Sequence, residues 1–235
     1  MIDSAPPAPA TSTHPSAPLP ARIRDTFFAP RRLFAGLGDS PPWVGALGVA
    51  TAVAAVALAA EPAQFYLDQM ADPVNRRGAP VELTSPPEQI VLWGRVMAVF
   101  SALVGHPILA FALAGVLTLV FRIIRGGEGT FRQYLAIASH GLIIASVGLL
   151  VANLMRAVSG NPALLPTAGG LAGLEEGSVV AGILHGVNLF TLWMLVAVAA
   201  GVAAIERRVT LARASTLLLG AYLILVVTGA AFFRA

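Results

Sequence analysis

At 235 residues, 57% hydrophobic and only 11% charged, with a mean hydropathy of +0.78, the chain carries too little charge to cover a water-soluble domain of its size. The absence of cysteine excludes a disulfide framework and a thiolate site. The net charge of +3 does not mark a nucleic-acid binder, because the basic residues, all arginine, are scattered between apolar runs and form no basic face.

Residues 1–21 are rich in Pro, Ala, Ser and Thr, with Pro6, Pro7, Pro9, Pro15, Pro18 and Pro20. Such a segment buries little and is expected to be a disordered tail, with a Pro-rich docking motif as the alternative. The stretch Phe27-Phe28-Ala29-Pro30-Arg31-Arg32-Leu33-Phe34-Ala35-Gly36-Leu37 is different. Pro30 can open a short helix that places Leu33, Phe34 and Leu37 on one face and Arg31 and Arg32 on the other, a small amphipathic helix suited to the membrane interface. Asp39, Ser40, Pro41 and Pro42 then form a start signal for the next helix.

Five apolar runs follow, at about 43–60, 96–121, 134–155, 179–204 and 211–233, uncharged apart from Arg213 at the start of the fifth. Each is long enough to cross a hydrocarbon core, and Trp43 stands where an interfacial anchor would. Gly and Ala recur along all five, which allows close helix contact in lipid. No internal repeat points to an inverted-repeat transporter. The fold class expected is therefore all-α: a polytopic five-transmembrane-helix bundle over 22–235, preceded by a short interfacial helix. Arg31-Arg32-Leu33-Phe34, an apolar run and Ala57-Leu58-Ala59 mimic a twin-arginine signal peptide. Four more spans follow, so the first helix is expected to be retained.

Arginine placement orients the bundle. Arg22, Arg24, Arg31, Arg32, Arg122, Arg125, Arg132, Arg207, Arg208 and Arg213 fall on one side, and Arg76, Arg77, Arg95, Arg156 and Arg234 on the other, ten against five. The expectation is a cytoplasmic N-terminus and an outer C-terminus. Arginine-only basic usage with abundant Ala, Gly and Pro suggests a GC-rich bacterial genome, hence a bacterial inner membrane. The collar Arg31, Arg32, Arg122, Arg125, Arg132, Arg207 and Arg208 reads as topology determination or as a site for anionic lipid head groups.

The loop between the second and third spans reads Arg125-Gly126-Gly127-Glu128-Gly129-Thr130-Phe131-Arg132-Gln133-Tyr134. Gly126 or Gly127 can take the left-handed conformation that ends one helix, and Thr130 with Gln133 matches a capping box that starts the next. The loop lacks Lys and Walker spacing, so it is not a phosphate cradle.

Together these segments resemble the Yip-one domain family, the membrane proteins first known as Rab/Ypt GTPase interactors, and its bacterial branch in particular. The resemblance rests on Phe27, Phe28, Pro30 and Phe34 before the first span, and on Gly126, Gly127, Gly129, Phe131, Gln133 and Tyr134 in the loop. Asn161-Pro162 before the fourth span and Trp193 within it add to the match, which runs from about Arg22 to the C-terminus. The first two groups are the candidate cytoplasmic interaction surface. The resemblance implies partners among other membrane proteins, or copies of the same chain, in a lipid bilayer, and no catalytic residues. The Asp-Leu-Tyr-Gly-Pro motif of the eukaryotic members is missing, so small GTPase binding is not expected.

Ionisable residues inside a span are functional-site candidates by default. His106, His140 and His185 qualify, with Asn188 three residues from His185 and on its helical face, and Asn153 in the third span. At 1.5 Å per residue His140 lies roughly 9 Å from one membrane face and His185 roughly 9 Å from the other. That leaves roughly 12 Å between them along the normal, so they do not share one metal. His106 precedes Pro107, which is expected to kink the helix and open a small polar pocket among His106, His140, His185 and Asn188. Neutral histidines hydrogen-bonded across helices are the plain reading, and a ligand site or proton relay the sharper one. No Gly-x-Ser-x-Gly, His-Glu-x-x-His or intramembrane Asp pair suggests a protease. The expected function is a non-enzymatic scaffold or interaction protein organising membrane proteins or lipids, with no cofactor and no metal. The alternative is a small-solute transporter or a haem- or metal-binding redox protein using the three histidines.

Overall fold

The computed structural model describes residues 17–36, 38, 41–71, 86–161, 164–174 and 178–232. Residues 1–16, Leu37, Asp39, Ser40, Pro162, Glu175, Glu176 and the arginines at 76, 77 and 234 lie outside them, so the expectations placed on those positions do as well.

The chain is helical throughout these residues. Helix α1 (Leu19–Phe28) begins inside the segment expected to be a tail, and α2 (Pro30–Ala35) follows after a single residue. The break is at Ala29, whose extended φ of −146° obeys the restriction that a following proline imposes. Helix α3 (Val44–Ala59) starts after Pro41-Pro42 and ends before Pro62. Helix α4 (Ala63–Ala71) is short, and α5 (Pro87–Leu117) runs on into a π-helical segment, Thr118–Ile124. Helix α6 (Phe131–Ser159) is capped at its end by left-handed Gly160. Then come α7 (Ala168–Leu171), α8 (Val179–Gly186), α9 (Leu189–Ile205) and α10 (Leu211–Phe232).

Among the described residues three helices are long and apolar enough to cross a membrane: α5 with its π segment, α6 and α10. Helices α3 and α9 are shorter apolar helices. Helix α6 is the axis of the bundle. Of its most apolar window 72% is buried inside the protein, against 22% for α5 and 6% for α10. It packs between α3 and α9, with α5 against α3 and α6, and α10 outermost on α9 and α8.

Small residues make the central contacts. Ala46, Ala50, Ala54 and Ala57 form one fully buried stripe along α3, the helix most extensively packed on α6. Gly141 and Gly201 sit where a methyl group would stand 2.8 Å from Val198 and Ile137 respectively, across the α6–α9 contact. In lipid, where apolar burial between helices brings little, this closeness supplies the dispersion energy of association.

Three expectations are corrected. The fourth apolar run is not one helix, because it breaks between α8 and α9 at Val187-Asn188. The Asn188 side chain accepts hydrogen bonds from Phe190 and Thr191 N–H at 2.9 and 3.1 Å and so N-caps α9. Asparagine competes with the backbone in this way wherever a local turn is available. An antiparallel bridge to Thr167 holds the broken backbone, through Ala168 N–H to Val187 O and Leu189 N–H to Pro166 O. The second run extends well past its expected limits, from Pro87 to Ile124. The short helix expected from Pro30 is half of a two-helix hairpin, and its Leu33 and Phe34 are buried in the bundle against α9 and α6.

Candidate functional site at the arginine-rich end

The ends of α2, α5, α6 and α9 and the start of α10 meet at one pole of the molecule. Here the π segment widens the end of α5. Gly126, at φ +67°, takes the left-handed conformation expected of the loop and lets Gly127 N–H donate to Phe121 O at 3.0 Å. The expected capping box also forms: Gln133 N–H donates to Thr130 Oγ1, and Thr130 N–H to Gln133 Oε1 at 2.8 Å. Gln133 Nε2 further donates to Gly38 O at 3.3 Å, joining the α2–α3 link to the loop.

Between the two caps the loop wraps a carboxylate. Glu206, the residue after α9, is buried. Its Oε2 accepts from Glu128 N–H at 3.0 Å and its Oε1 from Gly129 N–H at 2.9 Å, and the Tyr134 hydroxyl donates to Oε1 as well. Among the described residues no arginine forms an ion pair with Glu206. Charge-assisted bonds from amides and a phenol stabilise the anion instead. A methyl group on Gly129 would stand 2.6 Å from Glu206 Oε1 and 2.7 Å from the Tyr134 oxygen, and one on Gly127 would stand 2.5 Å from Phe121 O. The glycines are therefore required by close approach. Arg122 Nη1 donates to Gly129 O at 3.3 Å and holds the loop from outside. The arrangement is a clamp joining the α5–α6 and α9–α10 corners into one rigid face.

The structure sorts the candidate surface residues into two groups. Phe28 is 80% exposed and Phe131 39%, with Gly126 also exposed and Phe27, Pro30, Gly127 and Gln133 partly so. Phe34 at 2% and Tyr134 at 0%, together with buried Gly129, cannot touch a partner. They build the face rather than present it. Phe27 leans edge-on against Trp193 at 5.5 Å, and Phe131 lies tilted on Phe111 at 6.1 Å, which itself meets Trp43 edge-on.

The hairpin of α1 and α2 is pinned by charge. Asp25 bonds Arg24 at 2.9 Å and Arg32 at 3.0 Å. The Arg24 hydrogen bond, then Arg32, hold the Asp25 carboxyl below its usual range despite the opposing effect of burial. Arg22, expected at the surface, is buried and donates to Pro42 O at 2.7 Å.

The four residues of the expected intramembrane pocket are not gathered. His106 Nε2 meets Ser146 Oγ at 3.2 Å on α6. His140 Nδ1 meets Ala136 O at 2.8 Å, one turn back, with its ring against Phe34. His185 Nε2 meets Leu174 O at 2.9 Å, outside the spans, and Asn188 is spent on the α9 cap. Among the described residues no group of three His, Asp or Glu is placed to hold a metal ion.

Residue spacing does not reveal Glu206, which stands beside Arg207-Arg208 like any charge at a helix end. The same holds at the opposite pole, where Arg156 and Glu61 form a buried ion pair at 2.6 Å. The Arg156 guanidinium also lies 5.3 Å from the centre of the Phe65 ring, and Asn153 donates to Ala57 O.

Compared with known proteins, the chain matches the family model of the Yip1 domain over residues 24–233. The chain belongs to the Yip1 domain family. The family resemblance read from about Arg22 to the C-terminus is thereby confirmed. Its Yip1 domain makes it a multi-pass membrane protein, of a family that is generally non-enzymatic and engages other membrane proteins. No curated protein and no solved structure matches it.

Proposed function

We propose that this Yip1 domain protein is a non-enzymatic membrane scaffold, which organises other membrane proteins or lipids through its arginine-rich end. The observation that carries the reading is the Glu206 clamp. It spends a buried carboxylate, two glycines and a tyrosine on rigidifying one pole, and leaves Phe131 exposed next to the loop, with Phe28 exposed further along α9 at the end of α1. A rigid face with exposed aromatics fits recognition, since aromatic anchors dominate interface energetics. Five spans, the fourth interrupted at Asn188, with a cytoplasmic N-terminus and an outer C-terminus in a bacterial inner membrane, complete the proposal.

The test is affinity capture from native membranes of the intact protein and of Phe28→Ala and Phe131→Ala. Tyr134 is unsuited to this test, because it is fully buried and its substitution would report on folding. A specific membrane-protein partner recovered with the parent and lost with either variant supports the reading. Equal recovery with all three contradicts this surface.

A further inference from the structure

Helices α5 and α10 flank a gap at the arginine-rich pole. A cavity of about 340 Å³ there is lined by Arg125, Arg213, Ala212, Thr216 and Leu217. Arg125 also lines a neighbouring cleft with Arg207 and Arg208, where Glu128 and the clamped Glu206 stand as well. None of these four arginines has an ion-pair partner among the described residues, and every ion pair there is made by Arg24, Arg32 or Arg156. Two guanidiniums facing one cavity without a counter-anion leave the site electropositive, and their planar forks suit the oxygens of a phosphate. The Thr216 hydroxyl adds a donor on the same wall.

We propose that this cavity binds the phosphodiester head group of an anionic phospholipid between Arg125 and Arg213. A free phosphate offers the same anion, but the rest of the cavity favours a lipid. One turn beyond Arg213 the wall is Leu217, and it continues into α10, whose apolar window is only 6% buried by protein. An acyl chain leaving the head group would run along that face. The inference rests on the membrane reading and names the lipid partner of the same pole.

The test is native mass spectrometry of the detergent-purified protein with phosphatidylglycerol, phosphatidylcholine or glycerol phosphate. The parent is expected to retain phosphatidylglycerol in preference to phosphatidylcholine. Arg125→Gln with Arg213→Gln is expected to lower phosphatidylglycerol retention about tenfold, and Arg213→Gln alone to lower it by a smaller factor. Arg31→Gln with Arg132→Gln removes the same charge from the same pole and is expected to leave retention unchanged. Equal losses in the two double variants would reduce the site to a diffuse collar and overturn the proposal. Displacement of phosphatidylglycerol by an equal concentration of glycerol phosphate would overturn the lipid source. Failure of the membrane reading shows separately, as protein recovered from cells without detergent.

Discussion

Glu206 Oε2 accepts a hydrogen bond from the backbone N–H of Glu128 at 3.0 Å, across 78 positions of sequence. That bond and its neighbour from Gly129 tie two helical corners that the chain visits far apart, and the behaviour of the whole pole follows from them.

Glu206→Ala removes the acceptor for two buried amides and the Tyr134 hydroxyl. The expected loss is about 3–5 kcal/mol, from unpaired donors and a cavity together. Glu206→Gln keeps one carbonyl acceptor but turns an NH2 group toward an amide N–H, so about 2 kcal/mol is expected. Thermal unfolding in detergent ranks the two. Proteolysis within the loop should rise with the loss, because the clamp is what orders it.

Gly129→Ala should destabilise by about 1–3 kcal/mol, since its methyl would press on Glu206 and Tyr134. Gly220→Ala is the matched control. Nothing stands within 4 Å of a methyl there, in the middle of α10. It should be neutral or stabilising by up to about 1 kcal/mol. Similar melting of both variants would contradict the clamp geometry.

At the other pole Arg156→Leu strands the Glu61 carboxylate in a buried position and should cost about 3–5 kcal/mol. Adding Glu61→Leu removes the stranded charge and should recover most of that loss. A double-mutant cycle measured by unfolding reads the coupling directly.

The Asp25 pins titrate. The folded carboxyl is held below its ordinary value of 3.8, chiefly by Arg24 and then Arg32. Its contribution to holding α1 is therefore full above that ordinary value, and is lost as pH falls from there through the folded value. Hydrogen exchange of the α1 amides should accelerate across this acid window in the parent. In Asp25→Asn it should already be raised at neutral pH, with no further step assigned to this residue.

Orientation is open to direct reading because the chain has no cysteine of its own. With a single cysteine at Gln64, near the Glu61 pole, a membrane-impermeant maleimide should label intact cells. With a single cysteine at exposed Arg208, labelling should wait for permeabilisation. The reverse pattern would invert the proposed topology.

The apolar helices α3, α5, α6 and α10 were legible in position because a bilayer demands long apolar runs, and such runs leave a composition signal that packing does not erase. Gly126 and the Thr130–Gln133 box were legible because caps are local chemistry. Asn188 misled because a polar residue inside an apolar run looks alike as a buried ligand or as a cap that breaks the helix. The burial of Phe34 and Tyr134 was hidden because an amphipathic face can turn toward lipid head groups or toward α9, and periodicity alone does not say which. Glu206 and the Glu61–Arg156 pair were illegible because their partners lie 72 to 95 residues away. A charge beside a span is ordinary until that tertiary partner is known.

The central claim is that the clamped, arginine-rich pole is where this Yip1 domain protein meets its partners. Site-specific photocrosslinking in native membranes tests it most directly, with the photoreactive residue at Phe28, at Phe131 or at Gln64 on the opposite pole. Discrete protein adducts from Phe28 and Phe131, and none of comparable yield from Gln64, are the predicted result. Adducts concentrated at Gln64, or equal at all three positions, would contradict it.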